Sequence, residues 1–398
     1  MLMHDDTGAN PVVASLFVDA KALYWHRYIV GLMTRLSRSA VTNVQASMLV
    51  LLAVGAIALA AYAYCSLSAP PKARLIVSTT TSLYETGFLD VLKTSFETKY
   101  PNLNISFISQ GTGLAIQTAM RGDADMILVH DPAREYQFLQ GGYGVNRKIV
   151  AYNFFIIVGS PDDPVGITGK SPSDALKLIR SAGMNGTTFW VSRGDDSGTH
   201  SKEKSLWKSI GLDAKQLRTE KWYLEAGSGM TATLKLANEK RAYTLTDIGT
   251  YLMNFNNHNI DLAKLVEAGK SMLNVYSAIA DNPKNANMTK SNFEGAMLFI
   301  KYLVSDEGQG LFANYGVSQY DQALFKPYIK LTQSQSDPKL IGWIQELAFF
   351  EGSECPPQYR YQAEGLYSTQ TAVSILAVSA LAGLEDRIRA SWTRSLKA

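Results

Sequence analysis

The chain has 398 residues, 46% of them aliphatic, aromatic or Cys and 18% charged, which allows two domains or one domain in two lobes and excludes wholesale disorder. Of 38 Lys and Arg and 35 Asp and Glu, 5 and 3 precede Ala73, so the remainder carries 33 against 32 and lacks the basic face that a nucleic-acid binder needs. Cys65 and Cys355 are too few for a disulfide framework, and no Cys/His spacing suits zinc.

Residues 48–67 run without a charge, long enough at about 1.5 Å per residue to cross a bilayer core of ~30 Å. Arg27, Arg35 and Arg38 precede them with no acidic residue between, which puts residues 1–46 in the cytoplasm and the body outside. The run exceeds the ~7–15 residues of a usual signal-peptide core, so an uncleaved anchor over 47–67 is favoured over cleavage near 66–69. Tyr64 stands where a lipoprotein motif around Cys65 wants a small residue.

After Pro70 and Pro71, strand and helix alternate. Residues 74–77 read as a strand; 87–99 read as a helix with Phe88, Leu92 and Phe96 on one stripe, stopped by Pro101. Strands are expected at 104–108 and 126–129, with a helix over 114–121 between them. This alternation implies βαβ units and a mixed, mostly parallel sheet in an α/β fold. A strand at 154–158 meets Gly159, Ser160 and Pro161, where the chain is expected to leave the first lobe. The second lobe, 160–273, takes a strand at 187–191 and helices at 199–210 and 231–238; the strand-like 274–280 begins the return. Lobe one is thus 73–159 with 274–351. Within the extension 352–398, residues 371–384 are apolar and small but too short to span a bilayer, and a helix packed on the body or a partner is expected.

Three strand-to-helix connections share one chemistry. Ser78, Thr79, Thr80, Thr81 and Ser82 follow the first strand; Gly111, Thr112 and Gly113 follow the second; residues 193–199, with Arg193, Ser197, Gly198 and Thr199, follow the strand of the second lobe. A helix N-terminus exposes unpaired N–H groups and a partial positive charge, so it holds a tetrahedral oxyanion without lysine. Each loop alone reads better as an ordinary Ser/Thr cap; three in one chain point to a site. Gly227, Ser228 and Gly229 are a candidate fourth contributor. Arg193 offers a bidentate fork to an oxyanion, or else pairs with Asp195 or Asp196.

The segments TTTS (79–82), GTG (111–113), ADMILVHDP (124–132), GYGVNR (142–147), WVSRGDDSGTH (190–200) and YTLTDIGTY (243–251) resemble the tungstate-binding proteins of ABC transporters, over about residues 74–325. RGDDSGT is also similar to the anion loop of phosphate-binding proteins. The resemblance implies a type II, two-lobed periplasmic-binding-protein fold that closes on tungstate, or molybdate, through Thr80, Thr81, Ser82, Thr112, Arg193, Ser197 and Thr199. It implies an oxyanion ligand and no cofactor or coordinated metal cation, a permease partner with a separate ATPase, and action as a monomer. A phosphate-binding protein of the same fold and a membrane-anchored oxyanion sensor are the alternatives.

An enzyme reading has little support. Asp195, Ser197 and His200 lie within six residues, no GxSxG elbow occurs, and His130 and His200 lack a metal-ligand spacing. No GxxxxGK[ST] loop is present, so ATP hydrolysis belongs to another subunit. Sequons at Asn104, Asn185 and Asn287 would be open to glycosylation if the body is outside the cell.

Overall fold

The computed structural model describes residues 43–67, 72–267 and 269–367, together with Arg27 and Val30. The chain divides into two compact units, 1–71 and 72–398, each taken by itself. In the first, Asn43–Leu67 is a single uncharged helix of 25 residues. It is long and apolar enough to cross a membrane, and Met48, Leu51, Leu52, Ile57 and Leu59 are exposed along it.

The second unit is built on strands β1 (Ala73–Thr80), β2 (Leu103–Gln110), β3 (Met126–Val129), β4 (Gly144–Gly159), β5 (Trp190–Ser192), β6 (Tyr223–Glu225), β7 (Tyr243–Asp247), β8 (Ala263–Val266), β9 (Leu273–Asp281) and the short β10 (Lys326–Pro327). Their order is β2-β1-β3-β9-β4-β7-β5-β6, with β8 and β10 also on β4. The parallel pairs are confined to β2-β1-β3 and β7-β5-β6. β9 and β4 pair antiparallel with all their neighbours, so the sheet is mixed rather than mostly parallel. The two parallel blocks are the βαβ units legible in the sequence; β4 and β9 are the strands that tie them together.

The apolar stripe Phe88, Leu92 and Phe96 is fully buried on helix Phe88–Lys99, and Phe88 packs against Phe312, Tyr315 and Phe325. Strand β4 is much longer than the expected 154–158. Its first part pairs with β9, ending at Phe154↔Leu273; from Phe155 onward it pairs with β7 and then β8. The passage between lobes therefore falls inside an unbroken strand, not at Gly159. A buried continuous run carries no turn signal, and Gly159 serves close packing: a Cβ there would stand 2.5 Å from the Tyr243 ring. The return comes with β9, which makes two crossovers.

The body does not end at Glu351. Glu354 accepts from the Ile149 amide at 3.1 Å and pairs with Lys148; the Tyr361 amide donates to Asn146 at 2.8 Å; the Tyr367 hydroxyl donates to the Arg147 carbonyl at 2.9 Å. Cys355, Leu366 and Tyr367 belong to the same core as Leu75 and Val77. The proposed tail helix at 371–384 and most of the leader 1–46 lie outside the described residues.

Candidate functional site

β1, β2 and β5 each run at their C-terminal end into a helix: Thr81–Glu85, Thr112–Met120 and Gly198–Ser209. In parallel blocks the C-terminal ends share one edge, where open α/β sheets bind ligands. The N-caps Thr80 and Gly111 have extended backbone and give their helices no side-chain cap, which leaves the first N–H groups unclaimed by side chains. Ser197 is different: its hydroxyl accepts from the His200 amide at 3.2 Å, an ordinary cap that leaves its own hydrogen to donate.

The lobes touch across this edge. Arg193, 1% exposed, donates through Nη2 to Thr81 Oγ1 at 3.0 Å and also pairs with Asp195. Asp195 accepts in addition from the Ser197 amide at 3.2 Å, while Asp196 turns outward to Arg134 and Lys204. A Cβ on Gly198 would stand 2.9 Å from Thr112 Oγ1 and 2.7 Å from His130 Cε1, so the two loops meet almost backbone to side chain. Thr80 Oγ1 and Ser82 Oγ are 3.4 Å apart, and Ser82 Oγ lies 3.3 Å from His130 Nε2. The sequence thus named residues that the fold brings together. Three of them, Thr112 and Thr199 through Oγ1 and Arg193 through Nε, hold fully buried polar atoms without a hydrogen-bond partner. Buried donors are normally satisfied, and three orphans at one junction mark a place suited to an acceptor-only ligand.

The family profile for a PBP superfamily domain matches residues 66–307. The chain belongs to the PBP superfamily. Among PBP relatives, a Haloferax volcanii protein named for ABC-transporter anion binding is 46% identical over 59% of this chain and 67% of its own length. The tungstate-binding protein TupA of Peptoclostridium acidaminophilum is 38% identical over 60% of this chain and 80% of its own. The crystal structure of the tungstate ABC transporter from Geobacter sulfurreducens, 41% identical, superimposes with a TM-score of 0.54 over 62% of this chain and 100% of that one.

Several residues that shape the PBP cleft escaped sequence reasoning. Glu203 is buried and accepts from Trp190 Nε1 at 2.8 Å, Tyr223 at 2.6 Å and Ser192 at 2.8 Å, which fixes β5 and β6 beneath the Arg193 loop. Burial pushes its carboxyl up to about 7 against the pull of those three donors. His130 follows β3 directly, within ADMILVHDP, and the spacing around it shows no metal-ligand pattern that would single it out. Burial lowers its affinity for a proton. His200, lowered by burial to about 4, accepts the Asp196 amide on Nδ1 and serves the loop. The loop at 227–229 follows β6, and the first turn of the helix it precedes, Met230–Lys240, is met by Glu85 from the other lobe. Among the described residues no group of three or more His, Cys, Asp or Glu is placed to hold a metal ion.

Proposed function

We propose that this chain is the extracytoplasmic binding component of an ABC transporter, capturing tungstate between its lobes for delivery to a membrane permease powered by a separate ATPase. The supporting observation is the set of buried unpaired donors from both lobes, Thr112 Oγ1 and Thr199 Oγ1 at helix N-termini and Arg193 Nε in the loop after β5. Thr80, Thr81, Ser82 and Ser197 complete the contact set. Tungstate, molybdate and sulfate are fully deprotonated dianions at neutral pH and only accept hydrogen bonds, which suits a lining of N–H and O–H donors. Tungstate and molybdate share charge and shape, so cavity size alone separates them.

Phosphate keeps a proton and needs an acceptor. Asp195 is the residue that favours this second reading, but its oxygens are taken by Arg193 and the Ser197 amide. Calorimetric titration with tungstate, molybdate, sulfate and phosphate is the test. Tungstate should bind tightly; tight phosphate binding with no tungstate heat would sink the reading.

A carrier role is preferred over catalysis because Ser197 and His200 form a helix cap, with no hydroxyl-to-imidazole relay between them. Attachment is through the helix Asn43–Leu67, with the body outside the cell. Protease added to intact cells should digest the body, and full protection would reverse this orientation.

A further inference from the structure

A chain of hydrogen bonds determines which way the Ser82 hydroxyl points. The Leu324 carbonyl only accepts, so Asn153, 3.2 Å away, turns its Nδ2 toward it and its Oδ1 toward Asn274. Asn274 must then present Nδ2, at 2.9 Å from Asn153 Oδ1 and 2.9 Å from the Tyr276 hydroxyl. That leaves Asn274 Oδ1 facing His130 Nδ1 at 2.9 Å, so Nδ1 carries a hydrogen in every protonation state. Nε2 is the atom that titrates, and it lies 3.3 Å from Ser82 Oγ. When Nε2 is bare, the Ser82 hydroxyl donates to it and faces the cleft with lone pairs. When Nε2 is protonated it donates to Ser82 instead, and the Ser82 hydrogen is released to bond an anion in place of the long contact to Thr80 Oγ1 at 3.4 Å.

We propose that His130 is the positioning residue for Ser82, and that a dianion entering the cleft draws one proton from solvent onto His130 Nε2, turning Ser82 from an acceptor into a ligand donor. This rests on the oxyanion reading above and goes beyond it by linking ligand to a proton. The surroundings agree with such a balance. Burial keeps the ring neutral in the free protein, opposed by Asp247 from the end of β7 and by adjacent Asp131, with Arg193 adding to the lowering. Lys202 lines the same cavity as His130 behind the junction. Tyr276 and Phe155, the aromatic neighbours from β9 and β4, carry no charge there. Two added negative charges beside Ser82 shift this balance toward the imidazolium.

The test is calorimetric titration of the full chain with sodium tungstate at pH 7 to 9 in buffers of differing ionisation enthalpy. The expected result is uptake of up to one proton per ion, with affinity falling as pH rises through the ligand-bound titration, by no more than tenfold per pH unit. His130→Gln keeps a donor toward Ser82 that does not titrate, and should abolish both the uptake and the slope. Tungstate binding without proton uptake in the wild type overturns the proposal alone, as does uptake that survives in His130→Gln. No tungstate heat under any condition overturns the oxyanion reading and this proposal with it.

Discussion

Glu85, at the end of the first short helix of one lobe, accepts from both the amide and the hydroxyl of Thr231 in the other, at 3.3 and 3.0 Å. A carboxylate at the N-terminus of helix Met230–Lys240 is favoured by the helix field as well as by the two bonds. A Cβ on Gly229 would stand 2.7 Å from Glu85 Oε1, so glycine admits the carboxylate. This contact exists only when the lobes are together and carries no contact to the ion. Glu85→Ala should therefore destabilise the closed state by about 1 to 2 kcal/mol, weakening tungstate binding about 5- to 30-fold. Unchanged affinity by calorimetry would mean that the bond forms at no net gain.

Gly198 tests closure from the opposite side. Its substitution by Ala places a methyl group against His130 and Thr112, both in the other lobe. Neither lobe's own core is touched, so the melting temperature of the ligand-free protein should hold. Tungstate binding, and the stabilisation and compaction it brings, should be lost or greatly reduced. An alanine variant that compacts normally in small-angle scattering with tungstate would show that the lobes close without the tight Gly198 contact to His130 and Thr112.

Arg193 and Thr112 should differ in degree. Removing Arg193 leaves a dianion facing neutral dipoles in a desolvated cleft, a loss of about 2 to 5 kcal/mol, or roughly 30-fold to several thousand-fold in affinity. Arg193→Lys keeps the charge without the fork and should fall between wild type and Ala. Thr112→Ala removes one neutral donor and should cost about 0.5 to 1.5 kcal/mol. Should Arg193→Ala bind tungstate like wild type while Thr112→Ala does not, Arg193 serves only its pair with Asp195.

Asp281 gives a stability prediction far from the ligand. It is fully buried, both carboxylate oxygens lack partners, and Asp125 stands beside it. Burial first, and the Asp125 charge second, push its carboxyl from 3.8 up to about 9. Between these values the folded protein keeps a proton that the unfolded chain releases, so this group lowers stability as pH rises. Asp281→Asn should stabilise the protein at pH 8 by about 1 to 4 kcal/mol and make little difference near pH 4. Denaturant unfolding at the two pH values measures this, and a variant less stable than wild type at pH 8 would contradict it.

Local chemistry made much of this protein legible without coordinates. Regular alternation of apolar strands with striped helices announced an α/β body, and β3 appears over the residues expected, Met126–Val129. Hydroxyl and glycine residues at strand ends marked the loops that meet at Arg193, because an exposed helix N-terminus calls for those residue types whatever the rest of the fold does. The uncharged run before the body was equally plain. Tertiary structure decided what depends on partners distant in sequence. Glu85 and Thr231 are 146 residues apart, and His130 and Asn274 are 144 apart; nothing near any of them in sequence records the pairing. The passage of β4 between lobes was hidden because a continuous apolar run carries no turn residue where the strand's neighbour changes from β9 to β7. The same holds for residues 352–367, whose many polar and aromatic groups and low apolar content look like a tail until Glu354 and Tyr367 are seen bonded into the core. Short-range capping and hydrophobic periodicity are written in neighbouring residues, whereas closure, proton sharing and long-range pairing are properties of surfaces that exist only once the chain has folded.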